Sequence, residues 1–253
     1  MHAVGSTEDE LFDAWRARRE AEGDHVALHD LYDLVAESRG VAPEDLDLAE
    51  RRELAARALE VIWPGFEQVA PVRPSGRIEV VDADPAWPSR FAALRDRLSH
   101  SLGDAALRID HVGSTSVPGL DAKPIIDVQI SVLDCADELA YAPAIITCGF
   151  ELYSRDEEHR FFSVAPPAPR TAHVHVCSAG SSFEYDHLVF RDYLRSHPEA
   201  CRAYASIKRE AAAKWADDRL GYTYAKSDLI LDLLEEAKAW ALQTAWSVED
   251  APS

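Results

Sequence analysis

Cysteine is scarce in this sequence. Four cysteines occur in 253 residues, and no two of them form a CxxC pair. Neither a disulfide framework nor a zinc knuckle is therefore indicated. The chain also lacks an apolar run of the length that a transmembrane helix needs. Its first residues, MHAVGSTEDELFDAW, lack the basic and apolar regions of a secretory signal. Together these absences predict a cytoplasmic protein.

Basic residues are in short supply as well. The chain carries 26 Lys and Arg against 45 Asp and Glu, which gives a formal net charge of -19. Duplex nucleic acid is bound by clustered cations that release counterions from the phosphates. We therefore expect neither duplex nucleic acid nor a membrane as a partner. A local basic pocket for one nucleotide or other small phosphorylated ligand is compatible with this charge. The sequence leaves the oligomeric state open.

The N-terminal part of the chain has helical patterns. Thr7-Glu8-Asp9-Glu10 fits a capping box, Gly40 fits the end of a second helix, and residues 44–62 supply a third. The stretch WPGFEQVAPVRPSGR then places three prolines and two glycines in fifteen residues, which is typical of a boundary. We predict a helical extension and linker over residues 1–75 and a main domain over residues 76–246.

In the main domain, short apolar runs alternate with helical stretches. From Glu184 onward the pattern is helical again. This order predicts an α+β fold, a mixed sheet with flanking helices. The predicted strands are IEVV (78–81), LRIDHV, PIIDVQISV, FELYS, RFFSVA and TAHVHVCSA.

A Gly-Ser turn precedes a strand that carries one acid. In PIIDVQISV, alternation puts Asp127 and Gln129 on the polar face. Gly113 and Ser114 follow the preceding strand, and backbone amides of such a turn attract phosphate oxygens. A nearby carboxylate can hold the Mg²⁺ that bridges phosphates, and no GxxxxGK[ST] loop is present. The simpler alternative is that Gly113 only makes a turn, Ser114 only caps it and Asp127 only faces solvent.

The segment GSTSVPGLDAKPIIDVQISV resembles the signature of the GrpB-like proteins, a branch of the nucleotidyltransferase-fold superfamily. The resemblance runs from about Ile78 to Ala237 and includes VVDADPAWPSRF and LVFRDYLRSHPEA. It implies a nucleotidyltransferase-like mixed sheet with flanking helices, to which the N-terminal helical segment is added. The resemblance predicts the fold but does not identify a reaction.

The resemblance also implies site residues. Gly113 and Ser114 match the superfamily's phosphate-binding turn, and Asp127 matches its first metal-binding acid. The second acid falls on Gln129, whose neutral amide is a weaker ligand for Mg²⁺. Mg²⁺ is therefore the implied cofactor, but this departure speaks against transfer by two metal ions.

HVHVC places His173, His175 and Cys177 on one face of a strand. Side chains at i and i+2 stand some 6–7 Å apart, so two of them can chelate one ion but three are not expected to. The alternative is that the histidines only pack on the sheet. In the functional interpretation they share a cleft with Asp127. There His173 replaces the missing acid as a metal ligand and His175 serves as a catalytic base.

Cations near these strands are candidates for phosphate contact. The alternative for helical cations is an ordinary solvated face. The candidates are Lys123 before PIIDVQISV, Arg160 in RFF, and Arg191, Arg195, Lys208 and Lys226 in the C-terminal helices.

Two functions follow from these patterns. The preferred one is binding of a nucleotide or related phosphorylated ligand with Mg²⁺, extending to nucleotidyl transfer to a small acceptor with Asp127 and His175 as catalytic residues. The other is a noncatalytic ligand-binding or interaction module that has lost the second metal-binding acid, and Gln129 favours it.

Overall fold

The computed structural model describes residues 7–23, 26–62, 65–72 and 76–251. Within these ranges the helices are α1 (Glu8–Glu22), α2 (Leu28–Arg39), α3 (Leu48–Ile62), α4 (Trp87–Leu102), α5 (Ala142–Thr147), α6 (Ser182–Ser196), α7 (Pro198–Lys214), α8 (Arg219–Tyr224) and α9 (Ser227–Thr244). None of these helices is both long and apolar enough to cross a membrane.

The strands of the described residues form one mixed sheet. They are β1 (Glu67–Gln68), β2 (Arg108–Val112), β3 (Ile126–Val132), β4 (Phe150–Arg155), β5 (His159–Val164) and β6 (Ala172–Ser178). Their order is β1-β4-β5-β6-β3-β2. Only the central pair β3 and β6 is parallel among these neighbours. The predicted α+β fold with a mixed sheet and flanking helices is confirmed.

Two details of the sequence prediction are wrong. IEVV (78–81) is not a strand, because only Val81 pairs, in an isolated bridge with Ala122. The third helix begins at Leu48 rather than at residue 44. Asp47 Oδ1 accepts hydrogen bonds from the amides of Ala49 and Glu50, so Asp47 fixes the start of the helix.

The chain divides into two compact units. The first comprises the described residues of Met1–Pro64, Ser75–Glu79 and Ser206–Asp232; the second comprises those of Gly65–Pro74, Val80–Ala205 and Leu233–Ser253. The N-terminal helices thus share a unit with a later part of the chain. The division into residues 1–75 and 76–246 stays a prediction.

The first unit is a helical cluster with the caps that the sequence indicates. Thr7 and Glu10 form the capping box of α1, and Gly40 ends α2 with φ 69° and ψ 30°. Tyr32 donates a hydrogen bond to the Arg51 carbonyl (3.0 Å), and its ring lies 5.7 Å from that of Trp215. The buried Tyr32 therefore has a hydrogen-bond acceptor for its hydroxyl and an aromatic neighbour for its ring within this unit.

The second unit holds the sheet, whose two faces differ. On one face Val128, Ile130, Val174 and Val176 are fully buried. Apolar residues of α4 and α5 pack against them, including Phe91. Burial of side chains of this size stabilises a fold by about 1.5–3 kcal/mol each. This face is therefore the core of the unit.

The other face carries polar residues and is partly covered by α6. The Gln129 amide reaches the Glu184 carbonyl (3.5 Å), and the His187 ring lies 2.9 Å from Gln129 Oε1. One turn further along α6, Arg191 contacts Asp110 (3.4 Å) on β2. The uncovered part of this face holds the candidate site.

Candidate functional site

Asp127 stands at the beginning of β3, between β2 and β6. It is paired with Val112 on one side and with His173 on the other. Directly paired residues present their side chains on the same sheet face. His173 Nδ1 accordingly lies 2.9 Å from Asp127 Oδ1. The register of the central parallel pair thus brings this acid and this histidine together.

His175 joins the same group. It pairs with Gln129, one step along the face, and its Nε2 lies 3.6 Å from Asp127 Oδ1. The rings of His173 and His175 are 6.4 Å apart and perpendicular, yet one nitrogen of each is directed to the same carboxylate. One donor atom from each of the three residues lies within 4.8 Å of the others. We call Asp127, His173 and His175 the Asp–His cluster.

Gly113 brings the backbone against this cluster. Its φ of 66° and ψ of -174° are essentially restricted to glycine. A Cβ at this position would stand 2.5 Å from Asp127 Oδ2. A 3₁₀ turn, Ser114–Ser116, follows directly. We call Gly113 and this turn the glycine–serine turn, and both its conformation and the space beside Asp127 require glycine.

Two side chains hold the glycine–serine turn. Arg195 of α6 donates from Nε and Nη2 to the Ser116 carbonyl (3.1 and 2.9 Å). Tyr204 of α7 hydrogen-bonds the Ser114 side chain. Burial is the main cause that raises the pKa of Tyr204 to about 12, so its hydroxyl is neutral near pH 7. Arg195 is one of the helical cations that the sequence analysis names, whereas Tyr204 is not.

Further rings surround His175. The His159 ring places Nε2 3.0 Å from His175 Nδ1, and it stacks on Phe183 with centroids 4.3 Å apart. The His187 ring is 5.8 Å from that of His175. Burial lowers the pKa of His159 to about 4 and that of His187 to about 3. Both are therefore neutral at pH 7 and able to accept or donate a hydrogen bond according to tautomer.

The Asp127 carboxyl is kept ionised. Its burial alone would raise the pKa, but hydrogen bonds from His173 and His175 outweigh that effect and hold the pKa well below the usual range. The side chain is 27 % exposed. The site therefore presents a charged oxygen that external ligands can reach.

Gln129 occupies the position of the superfamily's second metal-binding acid, but its side chain does not face the exposed space beside Asp127. Gln129 is fully buried, and its amide is used by Glu184 and His187. The Asp–His cluster contains one carboxylate. Cys177 is also fully buried, and burial raises the pKa of its thiol to about 12. Cys177 therefore lies outside the Asp–His cluster.

Arg160 is not brought to the site, so its assignment is corrected. Arg160 pairs with Val176, whose side chain is in the core, whereas the neighbouring Phe161 pairs with His175. Arg160 therefore lies on the opposite face. There its Nε donates to Glu138 Oε1 (2.6 Å) and its Nη1 donates to the Asp156 carbonyl. Its charge is compensated locally.

Arg191 is likewise corrected as a phosphate contact. It is 1 % exposed, and its guanidinium contacts Asp192 (2.8 Å) and Asp110 (3.4 Å). A buried ion pair of this kind fixes α6 on the sheet and leaves no exposed charge for a ligand.

Three further candidates stay predictions. Lys208 lies in α7 and is 2 % exposed. Lys123 is partly buried three residues before β3. Lys226 belongs to the first unit, where its Nζ lies 4.0 Å from the centroid of the Tyr222 ring.

The sequence analysis missed several residues of the site. These residues differ in whether a sequence pattern could have revealed them. His159 is two residues before Phe161 on the same strand face, so strand alternation could have found it once the pairing with β6 was known. His187 and Tyr204 reach the site from helices. Only the tertiary packing shows which helical face meets the sheet.

The fold and the site define an α+β protein whose mixed sheet carries a glycine–serine turn against an Asp–His cluster. The model of the "GrpB protein" family matches residues 77–236. The chain therefore belongs to the GrpB family, as the sequence resemblance predicts. The match includes the turn, the strands of the cluster and α6.

Relatives agree with this assignment. The chain is 39 % identical over 168 residues to a UPF0157 protein of Pseudomonas aeruginosa, covering 64 % of this chain and 69 % of that one. It is 40 % identical over 167 residues to a UPF0157 protein of Halalkalibacterium halodurans, covering 64 % and 83 %. A crystal structure of the conserved protein GrpB from Enterococcus faecalis matches with a TM-score of 0.58 and 30 % identity. That match covers 64 % of this chain and 99 % of the other.

A longer relative extends the similarity to the N-terminal region. A protein named dephospho-CoA kinase from Mycobacterium leprae is 29 % identical over 279 aligned residues. The alignment covers 91 % of this chain and 66 % of that protein. A third of that relative thus lies outside the aligned region.

Proposed function

We propose that this protein binds a small phosphorylated ligand, with nucleotides as the first class to test, at the glycine–serine turn beside Asp127. The observation that supports this proposal is the 2.5 Å separation between the Cβ position of Gly113 and Asp127 Oδ2. A backbone turn and an ionised carboxylate are thereby adjacent. A phosphate on the turn would have its oxygens close to a cation held by Asp127.

The surroundings of the turn favour an anion. The first N–H groups of a helical turn have no acceptor within it, and they can donate to phosphate oxygens. Arg195, whose guanidinium donates to the Ser116 carbonyl and also pairs with Asp192 (3.0 Å), holds the turn from behind. In a chain of net charge -19, such a local arrangement is what an anionic ligand requires.

We keep Mg²⁺ in the proposal only as a cation that binds together with the phosphorylated ligand. Mg²⁺ prefers oxygen ligands in octahedral geometry. Within the Asp–His cluster only Asp127 offers oxygen. The protein alone therefore fits Mg²⁺ poorly, and phosphate oxygens of the ligand would have to complete its coordination.

The reaction that the family resemblance implies is nucleotidyl transfer to a small acceptor, with Asp127 and His175 as catalytic residues. The alternative is a noncatalytic binding module, and the burial of Gln129 away from the opening favours it. The name of the mycobacterial relative adds dephospho-CoA to the ligands worth testing. We also propose a cytoplasmic location for the protein.

The proposal is tested by calorimetry with ATP, GTP, CTP, UTP and dephospho-CoA, each with and without Mg²⁺. Binding of one of these ligands is the expected result, and its strengthening by Mg²⁺ is expected because the phosphates supply the missing oxygens. Release of pyrophosphate in the presence of candidate acceptors separates the transferase from the binding module. A protein that binds none of these ligands under any of these conditions would refute the proposed function.

Asp127→Asn is the matched variant. Loss of the charge should weaken metal-dependent ligand binding by roughly 1.5–3 kcal/mol, the range of a charge-assisted contact. Asp96→Asn makes the same chemical change at a side chain that is 70 % exposed on α4, and it should bind like the parent. If Asp127→Asn binds as tightly as Asp96→Asn, the carboxylate is structural.

A further inference from the structure

The donor atoms of the Asp–His cluster are close to one another: one atom from each of the three residues lies within 4.8 Å of the others. Protein ligands to zinc-like ions stand about 2.0–2.1 Å from the metal, so adjacent donors are about 2.8–3.4 Å apart at octahedral or tetrahedral angles. The two histidine nitrogens lie 2.9 and 3.6 Å from Asp127 Oδ1. Both distances are close to that range.

The chemistry of the donors selects a class of metal. Two imidazoles and one carboxylate form a set that suits zinc, iron and neighbouring transition metals, whereas Mg²⁺ prefers oxygen. Gln129 stands where a second acid would be, and its side chain is buried and used by His187. The cluster therefore lacks the second oxygen ligand that would favour Mg²⁺. A set of three protein ligands also leaves coordination positions for water or another ligand.

An outer ring of contacts orients His175. Its Nδ1 lies 3.0 Å from His159 Nε2, and the His159 Nδ1 lies 3.6 Å from Asp156 Oδ2. The Asp156 carboxylate is itself fixed by the backbone amides of Glu158 and His159. Histidines that bind metals usually direct their second nitrogen at a fixed partner, which sets the tautomer. His159 occupies that position here, and Nε2 of His175 is directed at the Asp127 carboxylate. A bound metal would replace the protons that His173 and His175 otherwise donate to Asp127.

We infer that the Asp–His cluster is a mononuclear site for a divalent transition-metal ion of the zinc or iron(II) class. Its ligands are Asp127, His173 Nδ1 and His175 Nε2, and His159 is a positioning residue. His175 then acts as a ligand. The site forms without a phosphorylated ligand, so this inference does not depend on the proposed function.

The test uses metal alone. The 253-residue protein is treated with a chelator and titrated with Co²⁺, whose visible absorption reports coordination by nitrogen and oxygen. Zn²⁺ is then added as a competitor, and Mg²⁺ is titrated for comparison. One equivalent of Co²⁺ should bind, Zn²⁺ should displace it, and millimolar Mg²⁺ should not. Equal affinity for Mg²⁺ and Co²⁺, or no Co²⁺ spectrum, would overturn the inference.

Variants identify the ligands. His173→Ala and His175→Ala should each lose the Co²⁺ spectrum, whereas His100→Ala, at an exposed residue of α4, should keep it. His159→Phe retains a ring against Phe183 but removes the nitrogen, and it should weaken Co²⁺ binding about 10–100-fold while keeping the one-to-one ratio. His159→Gln should restore part of the affinity. Unchanged Co²⁺ affinity in either ligand variant would overturn the assignment.

Folding of the variants is followed separately. Co²⁺ should raise the melting temperature of the parent and of His100→Ala but not that of His173→Ala. If an alanine variant does not fold, the smaller changes His173→Asn and His175→Gln take its place. A rise in melting temperature equal to that of the parent in these variants would show that the metal binds elsewhere and would overturn the proposal.

Discussion

Gly113→Ala tests the contact on which the site depends. The φ of 66° and ψ of -174° cost a residue with a Cβ about 1–3 kcal/mol. The new methyl group would also stand 2.5 Å from Asp127 Oδ2 and 3.1 Å from its Cγ. Overpacking of this kind costs typically about 1–3 kcal/mol more. The free energy of unfolding should therefore fall by about 2–6 kcal/mol, part of the 5–15 kcal/mol typical of a domain.

Gly103→Ala is the control within the same unit. Gly103 has φ 52° and ψ -131°, but a Cβ there would meet nothing within 4 Å. Urea unfolding should show the backbone cost in both variants and the additional cost only in Gly113→Ala. In an Asp127→Ala background, where the carboxylate is absent, the additional cost should largely disappear. Equal losses for Gly113→Ala and Gly103→Ala would refute the close approach.

Two more predictions concern neighbouring residues. Burial lowers the pKa of His111 to about 4. As pH falls from about 6.5 to 4, the unfolded chain gains a proton there that the folded chain does not, so up to roughly 3 kcal/mol of stability is lost. His111→Leu should flatten the pH dependence of urea unfolding in that window, and an unchanged slope would contradict this. Arg195→Lys keeps the charge but cannot maintain both hydrogen bonds to the Ser116 carbonyl. It should cost about 1–2 kcal/mol in urea unfolding, whereas Arg202→Lys, at a side chain that is 65 % exposed, should cost little.

Strand alternation made part of this site predictable. It places Asp127 on the polar face of β3 and His173 and His175 on one face of β6. What alternation does not give is the pairing of strands. The parallel register of β3 with β6 decides that Asp127 meets His173, and a shift by one residue would have turned one of them into the core. The sequence therefore indicated the participants but not their contacts.

The cations were harder to predict, because a charge carries no information about its partner. Arg160 was expected beside the phosphate site because its planar guanidinium suits phosphate. Glu138 neutralises it on the other face. Arg191 has an acid, Asp192, next to it and a second, Asp110, on β2. That second partner is 81 positions away in the chain, so the sequence pattern cannot reveal it.

The missing second acid and the histidine pair are linked by electrostatics. A carboxylate beside another carboxylate repels it and raises its pKa, and the pair then requires a hard cation to remain ionised. Asp127 has no such neighbour in the cluster; His173 and His175 contact it instead and keep it charged without a metal. Exchange of an acid for imidazoles thus leaves the first acid ionised but changes the cation it attracts. For this reason, Gln129 at the second acid position does not by itself indicate that the site has lost its metal. A transition-metal site on this sheet requires the same replacement of the second acid.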